Sequence, residues 1–458
     1  MRCCSGSSKN RPVPAADSLA AGGDAALLAR FAPFAGAKRL ALAVSGGADS
    51  LALLILACRW RAGLASGPDL FVLNVDHGLR PESAAESRFV GEVAGRYGLA
   101  FRSMRWDGPA PASGVEAAAR GARYALLLDA ARGVGATHLA TAHHRDDQAE
   151  TFLMRLARGS GVYGLAAMAG DVERDGIRLV RPLLDVPHDR LVAVVREAGL
   201  VPVEDPHNAD PGFDRVRFRQ RMPMLAAEGL DAATLAATAR RLGRAAAALD
   251  AYVGRLFANA ATADATGAVR LDAQAWRGEP EEVRLRALAR ILRAVGGAAY
   301  VPRLDSLEGL EAAMRLAAEG LAGEGAGTFS RTLAGVVIDL RKGDFRFQRE
   351  PGRDGLPELA VSNGFDGIWD GRFAVRLEVS GGGAFTIGAL GPEGRRQFAV
   401  CVPKAMPRAI EALPALRRNG EIVAVPGLGI AAEAELGVAF SATSRVAARL
   451  QEPVRQAD

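Results

Sequence analysis

Two short stretches hold the residue types and spacings that can do chemistry. The first is Ser45-Gly46-Gly47-Ala48-Asp49-Ser50. Adjacent glycines let a backbone take positive φ and approach a phosphate closely. Ser45 and Ser50 add hydroxyl donors, and Asp49 is placed to hold a divalent cation, magnesium, against bound phosphates. The second stretch is Thr141-Ala142-His143-His144-Arg145-Asp146-Asp147-Gln148-Ala149-Glu150-Thr151. A helix starting here sets Asp147, Glu150 and Thr151 on one face at i, i+3 and i+4. Carboxylates at that place can simply cap the helix. One cap explains one carboxylate, however, and three acids with two histidines also suit magnesium, an amine or a reacting base. The zinc spacing H-E-x-x-H is not met.

Such residues act together only if the chain's elements bring them to one place. Leu40 to Val44 reads as a buried parallel strand and Leu51 to Ala57 as the first turns of a core helix. The glycine loop therefore lies where free N–H groups and a positive helix end face an anion. Leu70 to Val75 is a second buried strand, ending in Asp76-His77-Gly78-Leu79-Arg80. In an open α/β sheet, ligands bind beyond the carboxyl ends of the strands. The spacing predicts a helix over 82–97, a strand over 101–106 and a helix from 114 to about 132. On that last helix Arg120, Arg123 and Tyr124 share a face, either a solvated basic face paired with Glu116 or a phosphate contact. Strand 137–140 leads into the second motif. Gly159-Ser160-Gly161 follows as a glycine-rich turn, and a helix over 188–198 completes the alternation. Arg215, Arg217, Arg219 and Arg221 flank Phe218, a pattern that suits phosphate contacts or a solvated helix start.

This alternation predicts an α/β fold, a Rossmann-like parallel sheet with helices on both faces, followed by a helical domain and a small β-rich C-terminal domain. The expected divisions are a disordered N-terminal segment over 1–35, a catalytic domain over 36–225, a helical domain over 226–350 and a β-rich domain over 362–458. A small hairpin is expected over 328–348 and a linker over 351–363. Among 458 residues, 57 Lys and Arg against 52 Asp and Glu leave a net charge of +5. That balance fits a polyanionic partner, or an Ala-, Gly- and Arg-rich compositional bias. The four cysteines (Cys3, Cys4, Cys58 and Cys401) form no C-x-x-C pair. Their scatter argues against a zinc site, an iron–sulfur cluster or a disulfide framework, and fits a reducing cytoplasm. The longest apolar run, Leu51 to Cys58, is too short to span a bilayer, and no secretory h-region follows the N-terminus.

The loop is neither a Walker G-x-x-x-x-G-K-[ST] nor a Rossmann G-x-G-x-x-G. It resembles the pyrophosphate loop of the N-type ATP pyrophosphatases. Taken with His77 to Arg80, Glu116 to Tyr124, Ala142 to Thr151, Arg158 to Gly161 and Arg181 to Leu184, the chain closely resembles the tRNA(Ile)-lysidine synthase family. Two departures stand out. The family's Asp-x-Ser-Asn is Asp205-Pro206-His207-Asn208 here, and its Arg-Asn-x-x-Arg is Arg215-Val216-Arg217-Phe218-Arg219. The resemblance implies that ATP adenylates the wobble cytidine of a CAU-anticodon isoleucine tRNA and that free L-lysine then displaces AMP. It implies ATP contacts from Ser45 to Ser50 and His77, with magnesium at Asp49. Catalytic roles are implied for Asp49, Arg120, Arg123, Asp147 and Glu150, and substrate contacts for His143, His144, Arg215 and Arg219. A cytoplasmic protein with no membrane partner is expected, its oligomeric state open, a dimer included. Two rival readings are a sulfur-inserting tRNA enzyme, against which the missing cysteine pair weighs, and a non-catalytic nucleotide- or RNA-binding module.

Overall fold

The computed structural model describes residues 25–76, 83–105, 115–174, 176–203, 212, 214–298, 301–320, 329–352, 355–380, 383–399, 406–432 and 437–453. His77 and the segments 78–80 and 205–208 lie outside the described residues, as do the side chains of 115–119. The chain divides between Gly243 and Arg244 into two compact units. No described helix is long and apolar enough to cross a membrane.

In the N-terminal unit, α1 (Ala25–Leu28) runs into a 3-10 turn, Ala29–Phe34. Disorder was expected as far as residue 35, yet Leu27, Phe31 and Phe34 are buried and Phe31 stacks on Trp60 at 5.7 Å. Apolar side chains at i, i+4 and i+7 give this segment a face to bury, which outweighs its small-residue composition. Then follow β1 (Arg39–Ala43), α2 (Ala48–Ala62), β2 (Asp69–Asp76), α3 (Ser83–Arg96), β3 (Ala100–Arg105), α4 (Val115–Gly133) and β4 (His138–Ala140). Next come α5 (Arg145–Leu156), α6 (Val162–Leu165), β5 (Asp171–Arg174), β6 (Ile177–Val180), α7 (His188–Glu197), α8 (Asp214–Ala227) and α9 (Ala232–Ala260). The division between the units falls inside α9.

The first six strands form one sheet in the order β3-β2-β1-β4-β6-β5, parallel except for the β5–β6 pair. Alternate residues of β1 explain the two layers. Leu40, Leu42 and Val44 join a core with α2, α3 and α7, while Ala41 and Ala43 join Tyr124, Leu127 and Leu128 of α4 on the other face. Every residue from Leu51 to Ala57 is fully buried, so α2 is apolar all round rather than striped. The strand order reverses at β1. The chain leaves β1 toward β2 on one side and returns to pair β4 on the other, which opens a crevice between the loops after β1 and β4.

The C-terminal unit contains β7 (Ala261–Ala263), β8 (Val269–Asp272), α10 (Ala273–Arg277), α11 (Glu281–Gly296), α12 (Leu304–Gly320), β9 (Ser330–Leu333), β10 (Val336–Arg341) and β11 (Asp344–Arg349). The antiparallel sheet β7-β8-β11-β10-β9 packs Phe345 and Phe347 against Trp276, Leu288 and Leu292. The expected hairpin is thus three strands of a five-stranded sheet. The expected linker holds β12 (Leu359–Val361), a strand too short to stand out in sequence. After it come β13 (Phe365–Trp369), β14 (Phe373–Val379), β15 (Phe385–Ala389), α13 (Gly391–Gln397), α14 (Pro407–Glu411), β16 (Pro414–Arg418), β17 (Glu421–Ala424), β18 (Val438–Ser444) and α15 (Val446–Gln451). They build two small sheets, β12-β15-β16-β17 and β13-β14-β18, over a shared core. α15 then returns to the first core of this unit, burying Val446 and Leu450 there. At that seam Gly297 and Gly371 meet backbone to backbone, and Asp370 accepts from both Arg349 and Arg372.

Candidate active site

The glycine loop occupies the crevice. Gly46 has φ +96°, and a Cβ there would meet Val203 and Val90 at 3.2 and 3.3 Å. Only glycine takes that backbone at so close an approach. The Ser50 hydroxyl was expected to face phosphate, but it is 6% exposed and committed inside the loop. It accepts from the N–H groups of Ser45 and Gly46, both at 3.1 Å, and donates to the Gly47 carbonyl at 2.9 Å. Ser45 stays exposed at the loop's entrance, and Gly47 caps α2, whose first-turn N–H groups a helix cannot bond itself. Behind the loop, buried Asn74 donates to the Val44 carbonyl at 2.9 Å and accepts from Ser87 and Ser103. This pins the end of β1, where the loop begins.

Asp49 faces the second motif. His188 Nδ1 lies 2.9 Å from its Oδ1 and His144 Nε2 lies 3.5 Å from its Oδ2. Burial alone would raise the Asp49 pKa, but the hydrogen bonds of the two imidazoles hold it well below the usual carboxylate range. His144 is buried, which would lower its pKa, yet Asp146, Asp49 and Asp147 together lift it to about 10. His188, at the first position of α7, is raised chiefly by Asp49. Its position beyond the carboxyl end of β6, after Pro187, follows the strand-end rule that picked out the other residues, so the signal was present but unused.

His144 also caps α5. Its Nδ1 accepts from the Asp146 N–H at 3.2 Å, while the Asp147 carboxylate accepts from the His144 N–H at 3.0 Å. Asp147 thus serves as a cap and still sits beside the cluster. One turn on, Glu150 is 1% exposed. Arg219 Nε donates to its Oε1 at 2.7 Å, and Arg215 Nε lies 3.0 Å from its Oε2. Burial raises the Glu150 pKa, and the two guanidiniums oppose that rise. Thr151 accepts from Arg215 at 3.4 Å. The departure Val216 is buried.

His143 bonds Thr141 Oγ1 at 2.9 Å. Burial first, then the guanidiniums of Arg181, Arg120, Arg215 and Arg123, hold its pKa well below the usual imidazole range. Arg120 lies over the Tyr124 ring at 5.7 Å, and burial draws the Arg123 pKa down. The crevice therefore has an acidic lobe around Asp49 and a basic lobe around His143, with Glu150 between guanidiniums. Gln148, inside the motif, is structural. It exchanges two hydrogen bonds with the Met168 backbone, at 2.7 and 2.8 Å.

Sheet order, crevice and serine–glycine loop define a PP-loop domain, and the PP-loop domain family matches residues 24–225 of the chain. Curated relatives narrow this further. The chain is 50% identical over 313 residues to the tRNA(Ile)-lysidine synthase of Rhodopseudomonas palustris, covering 68% of this chain and 90% of that one. A Bradyrhizobium sp. enzyme of the same name is 47% identical, with 70% and 93% covered, and one from Ruegeria pomeroyi is 38% identical, with 86% and 90% covered. The chain belongs to the tRNA(Ile)-lysidine synthase family.

Proposed function

We infer that the protein is an ATP-dependent ligase that joins lysine to C2 of the wobble cytidine in a CAU-anticodon isoleucine tRNA, forming lysidine. The observation that carries this reading is family membership over nine-tenths of the relatives' length. The pairing of a phosphate loop with a carboxylate-bearing helix across one crevice supports it. In the first half-reaction the cytidine O2 attacks the α-phosphorus of ATP and diphosphate leaves. In the second the lysine ε-amine attacks C2, loses a proton, and AMP leaves with the O2 oxygen. The exposed entrance of the Ser45–Ser50 loop and the start of α2 receive the departing diphosphate. Magnesium would be held by Asp49 and would neutralise phosphate charge; a carboxylate beside phosphates and water suits that ion.

Arg120 and Arg123, whose charges with those of Arg181 and Arg215 and burial keep His143 neutral, stabilise the phosphates or the adenylated base. Asp147 and Glu150 are the carboxylates for the lysine ammonium. Arg219, the more exposed partner of Glu150, has to yield or share that carboxylate when lysine enters. Residues 226–350 and 362–458 serve as helical and β-rich tRNA-binding domains, following in the chain the catalytic domain of 36–225.

The test is incorporation of labelled lysine into a CAU-anticodon isoleucine tRNA transcript, with a methionine tRNA of the same anticodon as control. Lysine should enter the isoleucine tRNA alone, and Asp49→Ala should abolish it. Diphosphate release without lysine transfer would leave adenylation standing and remove lysine as the nucleophile. The absence of any tRNA-dependent reaction would favour a binding module.

A further inference from the structure

We propose that Asp49, His144 and His188 form a binding site for a first-row transition ion such as zinc or cobalt, different in chemistry from the magnesium that accompanies ATP. Their donor atoms all lie within 4.8 Å of one another. Asp49 Oδ1 to His188 Nδ1 is 2.9 Å, and Asp49 Oδ2 to His144 Nε2 is 3.5 Å. Metal–ligand bonds of about 2.0–2.2 Å set donor-to-donor edges of about 3.0–3.5 Å in octahedral or tetrahedral sites, so the Asp49 carboxylate already stands near coordination spacing from each imidazole, and the two imidazoles have only to close to it on one another. Asp147 Oδ2 lies 3.5 Å from the same His144 Nε2 and offers a fourth donor.

Three elements supply the ligands: the start of α2, the loop after β4 and the first residue of α7. They are held independently of any ion. The two rings face each other at 5.1 Å, and the His188 N–H donates to Asp146 Oδ2 at 3.1 Å. The same carboxylate oxygen is 3.6 Å from His144 Nδ1. A histidine that ligates through Nε2 carries its proton on Nδ1 and presents it to an outer carboxylate, and Asp146 is placed for that part. In the capped arrangement His144 Nδ1 accepts from the Asp146 N–H instead. Ligation through Nε2 displaces the proton that nitrogen carries and leaves the ring where it is. Two imidazoles and a carboxylate suit zinc, cobalt or nickel, whereas magnesium wants oxygen donors throughout. An ion bound here occupies the Asp49 carboxylate, so it excludes magnesium from it. That exclusion rests on the proposed ATP loop; the binding itself does not.

The test uses untagged full-length protein titrated with cobalt(II) alone, without ATP or tRNA, and reads the visible d–d absorption. One cobalt per chain should give a spectrum of nitrogen and oxygen coordination that zinc abolishes and millimolar magnesium leaves intact. His188→Ala should weaken binding by about tenfold or more, and Asp146→Asn, which keeps all three ligands, should weaken it by about tenfold. The absence of a cobalt spectrum would overturn the proposal and leave an internal ion-pair cluster. So would a spectrum dominated by sulfur-to-cobalt charge transfer that His188→Ala does not change. Intact cobalt binding in protein that forms no lysidine would defeat the functional reading and leave this site standing.

Discussion

Glu150 and Cys58 show how far a single side chain's surroundings decide its chemistry. Glu150 is buried and held by two arginines. Glu150→Gln keeps the shape, removes the charge, and should raise the lysine KM by about tenfold or more, with a smaller change in the ATP KM. Initial rates against lysine and ATP concentrations decide it, and equal changes in both would remove Glu150 from the lysine site. Burial pushes the Cys58 thiol from 9.0 up to about 12. At pH 8 its thiolate fraction falls by about a thousandfold, so a thiol reagent should modify it about that much more slowly in the native protein than after denaturation. Peptide mapping of the labelled protein reads this directly. At this scale the sequence singled out residues that the fold does bring to one crevice, and said less about how each is held there. Ser50 was legible as part of a phosphate loop, but the direction of its hydroxyl depends on a fold that turns Ser45 and Gly46 back onto it. Asp147 was legible both as a cap and as a site carboxylate, and the structure gives it the first position without withdrawing it from the second.

Among the elements, two glycines with positive φ should respond in opposite ways. A Cβ on Gly297 would sit 2.0 Å from the Asp370 carbonyl oxygen, and neither backbone can move without opening the seam. Gly297→Ala should cost about 3–5 kcal/mol, seen as a lower Tm of the C-terminal unit, with ATP binding by the N-terminal unit retained. A Cβ on Gly46 meets side-chain atoms rather than backbone, the methyl groups of Val203 and Val90 and the Phe89 ring. At φ +96° an alanine is strained, so Gly46→Ala should cost about 1–3 kcal/mol, less than Gly297→Ala, and lose ATP binding, because the loop's amides would be re-aimed; calorimetry with and without ATP separates the two. Elements with long apolar runs, β1, α2 and β2, were readable because burial on every side leaves a continuous signal. The strands β7, β8 and β12 were not. They are only three or four residues long; β7 and β8 form a short hairpin, and β8 and β12 find their other partners, β11 and β15, much further along the chain.

For the whole molecule, the relevant quantity is charge. A net charge of +5, carried mainly by arginine, predicts tRNA binding that weakens steeply with salt, by about a hundredfold or more between 50 and 200 mM. Filter binding at several salt concentrations measures the slope, and a flat slope would remove phosphate contacts from the account. Three levels of the architecture were legible in order (parallel sheet, helical stretch, β-rich end), because composition and periodicity change along the chain. The return of α15 to the core under α11 was not, since no local pattern marks which core a short apolar helix will join. The strand order has a consequence in time as well as in space. Leu40 pairs with His138, about a hundred residues further along the chain, and the loops that follow these two strands make the crevice together. A growing chain therefore carries its phosphate loop through nearly a hundred further residues before His144 can stand opposite Asp49. His188 arrives later still. A chain that stops before β6 should therefore turn over no ATP, because the loop and its partners across the crevice are set opposite one another only by the pairing of β1, β4 and β6.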